Sequence, residues 1–196
     1  TVRQGSRLVG FSRDLFAMNA DAIQLDTCAF STELCSAVSA TPDFTKVLGL
    51  ASDSKGTMLA VVSDSDVFVY QSSDQSPLDR RLSVSGSTSV GQKAALGDIN
   101  GDGRIDLVTL SDGNASVFFG QQSGSFALDA TASGKLTTAL AGSVPTAVSS
   151  ADIDLDGIDD LVVASGTSLQ IIYPLPNGSY TTSAPLSGLD GTDILT

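Results

Sequence analysis

The chain has 196 residues, with 10 Lys and Arg against 22 Asp and Glu, a net charge of −12, no His and no Trp. That length and a 41% hydrophobic content suffice for a sizeable core without disulfides. The charge disfavours nucleic acid and anionic membrane surfaces, and the absence of His excludes His-based acid–base catalysis and His-ligated zinc.

No run approaches about 18 apolar residues, so no membrane-spanning helix is expected. No basic start leads into an apolar stretch, so no signal peptide is visible. The chain opens at Thr1 without Met, which suggests a processed or partial product. Two Cys are too few for a four-Cys zinc site. The lack of Trp weakens an aromatic platform for sugars, although Tyr and Phe remain.

Along the chain, short runs of Val, Leu, Ile and Phe alternate with Gly, Ser, Asp and Asn, the texture of strands and turns. No helix of ten or more residues is expected, and residues 29–38 come nearest to one. Four segments repeat a strand–turn–strand pattern: 14–25, 58–70, 106–120 and 160–173. Their aligned leucines, Leu15, Leu59, Leu107 and Leu161, are spaced by 44, 48 and 54 residues.

A shorter strand precedes each pair, at 8–11, 47–50, 94–97 and 146–149. A further strand follows in units three and four, at Ser125–Leu128 and Ser179–Thr182. Each unit then has about four antiparallel strands, the size of a propeller blade. The expectation is one all-β domain over 1–196, a β-propeller-like array of about four four-stranded antiparallel blades. Its units are approximately 8–40, 47–86, 93–133 and 145–187. The terminal stretch 192–196 reads as an extra inner strand, leaving the array incomplete or completed by strand exchange. An ordinary β-sandwich is the alternative.

Two acidic loops carry the chemistry. Residues 98–106 and 152–160 both read D-x-[DN]-x-D-G-x-x-D and begin 54 residues apart. Oxygens at positions 1, 3 and 5 (Asp98, Asn100, Asp102; Asp152, Asp154, Asp156) can converge on one cation as the loop curls. Gly at position 6 permits the sharp turn. The carbonyl at position 7, of Arg104 or Ile158, can point inward, and Asp106 or Asp160 at position 9 closes the cage. Ca²⁺ takes 6–8 oxygens in loose geometry, whereas Mg²⁺ demands a stricter octahedron. Two Ca²⁺ sites are therefore expected. An EF-hand needs Glu at position 12, where this chain has Thr109 or Val163. Asp159 occupies an intervening position and is expected to face away from the ion.

The two loops, the DLV strands after them and VFFG…GSF (117–126) resemble FG-GAP/VCBS repeats, the calcium-binding blades of integrin-α-type β-propellers and of many secreted bacterial proteins. The resemblance covers roughly 93–182 and is weaker over 1–90. Unit two keeps a loop, ASDSKGTML (51–59), without most of its acidic ligands. Unit one has only Ser12 and Arg13 between its strands. Calcium is therefore not carried over to those units. The family usually closes with about seven blades, more than the four units here.

In the extracellular, calcium-rich setting this resemblance implies, Cys28 and Cys35 flank a short loop and are expected to form a disulfide rather than two buried thiols. Asn114 and Asn177 open N-glycosylation sequons at predicted turns, where Asn is also favoured for its backbone geometry. Both readings stay open.

No nucleophile, base or cofactor fingerprint accompanies the acidic loops. The expected role is non-enzymatic: an extracellular or cell-surface, calcium-stabilised structural or adhesive module, self-associating through residues 192–196 into a fibre or surface assembly. One alternative is a module that binds a protein or carbohydrate ligand. Another is a polysaccharide-active enzyme on a propeller scaffold.

Overall fold

The structure is a computed structural model that describes residues 7–11, 14–18, 25–29, 35–37, 47–63, 66–71, 80–82, 84–85 and 93–188. The expected terminal strand 192–196 lies outside these residues. The described chain folds into four open sheets in sequence order, antiparallel except for one short parallel edge strand.

Blade one contains β1 (Arg7–Phe11), β2 (Asp14–Met18), β3 (Leu25–Ala29) and β4 (Cys35–Ala37). Blade two contains β5 (Val47–Ser52), β6 (Met58–Ser63), β7 (Val67–Gln71) and β8 (Arg80–Leu82). A short β9 (Val84–Ser85) follows. Blade three contains β10 (Lys93–Gly97), β11 (Asp106–Ser111), β12 (Asn114–Gly120) and β13 (Phe126–Asp129), and β9 joins its outer edge in parallel with β13. Blade four contains β14 (Ala147–Ala151), β15 (Asp160–Ser165), β16 (Ser168–Pro174) and β17 (Tyr180–Thr182), with β18 (Leu186–Ser187) also pairing to β16.

The first strand of each blade packs beside the first strand of the next, β1 on β5, β5 on β10 and β10 on β14. This succession of inner strands is propeller-like, and no sheet closes on itself. Period-2 patterning explains the packing. One face of blade three, with Leu96, Leu107, Phe118 and Phe126, meets Ala60, Val62, Val67 and Val69 of blade two. Its other face, with Ala95, Val108, Leu110 and Val117, meets Leu161, Val163 and Ile172 of blade four. A central blade is thus apolar on both faces, which is why β11 reads as a continuous buried run from Asp106 to Leu110.

The sequence expectation of no ten-residue helix is corrected by α1 (Ala130–Ala139). Of the stretch 29–38, the described residues 29 and 35–37 are in strands. Asp129 caps α1 by accepting from the Ala132 N–H at 2.7 Å. Ala132, Leu136 and Leu140 recur at four-residue spacing and are buried. Gly134 and three threonines lower the local helix propensity and obscure that pattern. The helix also replaces a strand. Beyond the end of β13, Ser133 Oγ accepts from the Val117 N–H and Thr137 Oγ1 from the Ala115 N–H, both at 2.9 Å. Two hydroxyls one helical turn apart thereby satisfy donors of β12 that would otherwise lack partners.

Among the described residues, no helix is long and apolar enough to cross a membrane. In blade one, Cys28 and Cys35 are direct register partners on β3 and β4. Their side chains lie outside the described residues.

Candidate metal-binding loops

Each acidic loop links a blade's first strand to its second: residues 98–105 run from β10 to β11, and residues 152–159 from β14 to β15. Both fold by the same internal hydrogen bonds. In the first, Asp102 N–H donates to Asp98 Oδ1 (3.1 Å) and Asn100 Oδ1 (2.9 Å), and Gly103 N–H donates to Asp98 Oδ2 (2.7 Å). In the second, Asp156 N–H donates to Asp152 Oδ1 (3.1 Å) and Asp154 Oδ1 (3.2 Å), and Gly157 N–H donates to Asp152 Oδ2 (3.1 Å). Position 5 then accepts from position 7: Asp102 from the Arg104 N–H at 3.0 Å, Asp156 from the Ile158 N–H at 2.8 Å.

These bonds curl the loop so that positions 1, 3 and 5 share one side. Carboxylate oxygens of Asp152, Asp154 and Asp156 all lie within 4.8 Å of one another. In the first loop Asn100 replaces one carboxylate, and the Arg104 guanidinium pairs with Asp102 Oδ2 while its Nε donates to Gly120 O at 2.7 Å. Sequence reasoning considered only the Arg104 carbonyl and missed this internal counter-charge.

Positions 4 and 6 are both left-handed. Gly103 and Gly157 have φ of 83° and 90°, as the motif anticipates. Position 4 has Gly101 at 72° in one loop but Leu155 at 64° in the other. Leu155 is 84% exposed, so no packing explains its presence there.

The position-9 carboxylates sit deeper. Asp106 is fully buried, accepting from the Gly120 N–H at 2.8 Å and the Ile99 N–H at 3.2 Å. Asp160 is buried and accepts from the Ile153 N–H at 2.9 Å. Burial, with added repulsion from Asp102 and Asp98, pushes Asp106 up to about 7. Burial also raises Asp160, reinforced by Asp154 and Asp156. Each position-9 residue thus ties the base of its loop to the blade and feels the carboxylates above it. An all-oxygen donor set that crowds negative charge on one side fits a hard cation such as Ca²⁺.

Blade two shows the loop without this crowding. Asp53 is buried and accepts from the Thr57 N–H (2.7 Å), the Met58 N–H (2.7 Å) and Thr57 Oγ1 (2.8 Å). One carboxylate braced by three donors makes a stable turn without an ion. Asn114 and Asn177 are exposed at the β11–β12 and β16–β17 turns, and Asn177 Oδ1 accepts from the Ser179 N–H and hydroxyl.

Residues 98–163 match the family described as an FG-GAP-like repeat. No curated protein matches the chain. Among solved structures it is similar to a candidate 6-phosphogluconolactonase from Bacteroides fragilis, with 14% identity and a TM-score of 0.52 over 94% of this chain and 55% of that one. Another is the Tc holotoxin pore of Photorhabdus luminescens, at 15% identity and a TM-score of 0.45 over 97% of this chain and 10% of that one. The chain thus spans about half the length of the first and a tenth of the second, and the first likeness is one of fold alone. The matched segment takes in both acidic loops and the second to fourth strands of blade three, so this part of the chain is similar to an FG-GAP-like repeat.

Proposed function

We propose that the chain is a calcium-stabilised, non-enzymatic structural or adhesive module of an extracellular or cell-surface protein. The observation that carries this reading is the convergence of Asp152, Asp154 and Asp156 within 4.8 Å on an exposed loop. In this reading one Ca²⁺ is held by Asp98, Asn100, Asp102, Asp106 and the Arg104 carbonyl. A second is held by Asp152, Asp154, Asp156, Asp160 and the Ile158 carbonyl. A bound ion would neutralise the crowded carboxylates and fasten each loop to its blade, so its binding energy adds to folding stability. Open, solvent-facing loops suit the weak end of calcium affinity, roughly 10⁻⁴–10⁻³ M, which matches extracellular calcium.

The test is thermal unfolding in excess chelator and in millimolar Ca²⁺, with calorimetric titration of the chelated protein. The expected result is a higher Tm with Ca²⁺ and two binding events, one of them lost in Asp156→Asn. Identical unfolding curves and no binding heat would overturn the reading.

A further inference from the structure

The sequence holds two Asn-Gly pairs, Asn100-Gly101 in the first acidic loop and Asn177-Gly178 in the turn between β16 and β17. Such a pair can modify itself. The glycine amide nitrogen attacks the asparagine side-chain carbonyl and expels ammonia, and the missing Cβ leaves that nitrogen uncrowded. As dipeptides the two pairs are identical, and the structure separates them.

Both have the electrophile in place. Asn100 Oδ1 accepts from the Asp102 N–H at 2.9 Å. Asn177 Oδ1 accepts from the Ser179 N–H at 2.9 Å and from the Ser179 hydroxyl at 2.6 Å. These bonds fold each side chain back beside its own backbone. They also aim donors at the oxygen on which negative charge develops during the attack. Gly101 and Gly178 share a left-handed backbone, with φ of 72° and 70°.

The nucleophiles differ. The Gly178 N–H donates to Leu175 O at 2.7 Å, and that bond must break before the proton can leave and the nitrogen attack. The Gly101 N–H has no hydrogen-bond partner among the described residues. Asn100 also lines an open cleft of about 230 Å³ between blades three and four, so water reaches its amide. Exposure alone would rank the pairs the other way, because Asn177 is exposed and Asn100 half-buried.

We propose that Asn100 is a site of intramolecular deamidation in the folded protein, selected over Asn177 by the unpaired Gly101 N–H. The Gly101 nitrogen gives its proton to solvent and bonds to Asn100 Cγ. The Cγ–Nδ2 bond breaks, and Nδ2 takes up a proton and leaves as ammonia. The resulting cyclic imide adds one water. Opening at Cγ gives Asp at position 100, and opening at the backbone carbonyl gives isoaspartate, with the chain rerouted through Cβ and Cγ. Water is exchanged for ammonia, and nothing is oxidised or reduced. The Asp product gives the first loop the three carboxylates that Asp152, Asp154 and Asp156 give the second. The isoaspartate product lengthens the backbone that holds the Asp102 N–H against Asp98 and residue 100. The chemistry needs no ion, so its outcome is separate from that of the calcium reading.

The test incubates the full chain in neutral buffer with excess chelator, both folded and in denaturant. Peptide mapping that separates Asp from isoaspartate follows the two sites over time. In the folded protein Asn100 should convert about two- to tenfold faster than Asn177, the rate equivalent of the hydrogen bond that Gly178 has to break. In denaturant that bond is gone, and the two rates should draw level. Conversion of Asn177 in the folded protein as fast as that of Asn100 would overturn the proposal. So would the same ratio of rates in denaturant, because the preference would then lie in the local sequence and not in the fold.

Discussion

Asp159 and Asp98 join the two acidic loops across the seam between blades three and four. The Asp98 N–H donates to Asp159 Oδ2 and the Asp159 N–H donates to Asp98 O, both at 2.8 Å. Asp98 opens the first loop and Asp159 closes the second, so the two candidate ion sites share a clamp of one backbone–side-chain and one backbone–backbone bond. Beside it, Ser150 Oγ donates to Leu96 O at 2.6 Å, another bond between the same blades.

This clamp predicts a graded mutational series. Asp159→Ala removes the acceptor and leaves the Asp98 N–H without its partner, costing about 1.5–3 kcal/mol. Asp159→Asn keeps an oxygen acceptor and should cost much less. Gly97→Ala tests the close approach of the strands, since an added Cβ would lie 2.8 Å from both Asp159 Oδ2 and Ser150 Oγ. Denaturant unfolding should rank Gly97→Ala and Asp159→Ala well below the parent, with Asp159→Asn near it. Equal stability for the Ala and Asn variants at 159 would show that the clamp contributes nothing.

Leu155 gives a prediction of opposite sign. A left-handed L-residue costs about 1–2 kcal/mol, and the matching position in the first loop is Gly101. Leu155→Gly should therefore stabilise the chelated protein by about 1 kcal/mol, slightly offset by the greater freedom of Gly in the unfolded chain. An unchanged or lower Tm would mean that the loop relaxes around Leu155 without strain.

The buried Asp106 predicts a pH dependence that calcium inverts. Its folded-state pKa, about 7, lies above the ordinary carboxyl value of 3.8. For the chelated protein, the stability contributed by this group is complete below about pH 4 and is lost as pH rises through about 7. Ca²⁺ requires the carboxylate, so the gain in Tm on adding Ca²⁺ should grow between pH 5 and pH 8. Asp106→Asn should flatten the chelated profile over that window. Scanning fluorimetry across the range, with and without Ca²⁺, reads both effects. A calcium gain that is the same at pH 5 and pH 8 would contradict the assignment.

The sequence made the blades legible because the repeat fixes them twice, by the leucines at 15, 59, 107 and 161 and by the short strand before each. Expected strands at 47–50 and 94–97 fall within β5 and β10, and Ser125–Leu128 falls one residue from β13. The helix escaped because its buried positions are only Ala132, Leu136 and Leu140, set among residues that weaken a helical pattern. The loops were legible in their spacing, since D-x-[DN]-x-D-G dictates the curl. Arg104 on Asp102 and Asp159 on Asp98 were not. Each depends on which side chain faces a neighbouring element, and local spacing carries no record of that.

Blade one offers a prediction from backbone register alone. Cys28 and Cys35 lie opposite one another on the antiparallel strands β3 and β4. Directly opposed residues in such a pair have Cα atoms about 4.5 or 5.5 Å apart, according to whether they share hydrogen bonds. Both separations fall within the roughly 4.4–6.8 Å that a disulfide spans. Closing this short loop should stabilise the blade by about 2–3 kcal/mol. Intact mass before and after reduction, with alkylation of the unfolded protein, will show whether the bond is present. Two thiols that alkylate fully in unreduced protein would rule it out. If the bond forms, Cys28→Ser with Cys35→Ser should lower the Tm, and reductant should lower the parent's Tm while leaving the double variant unchanged.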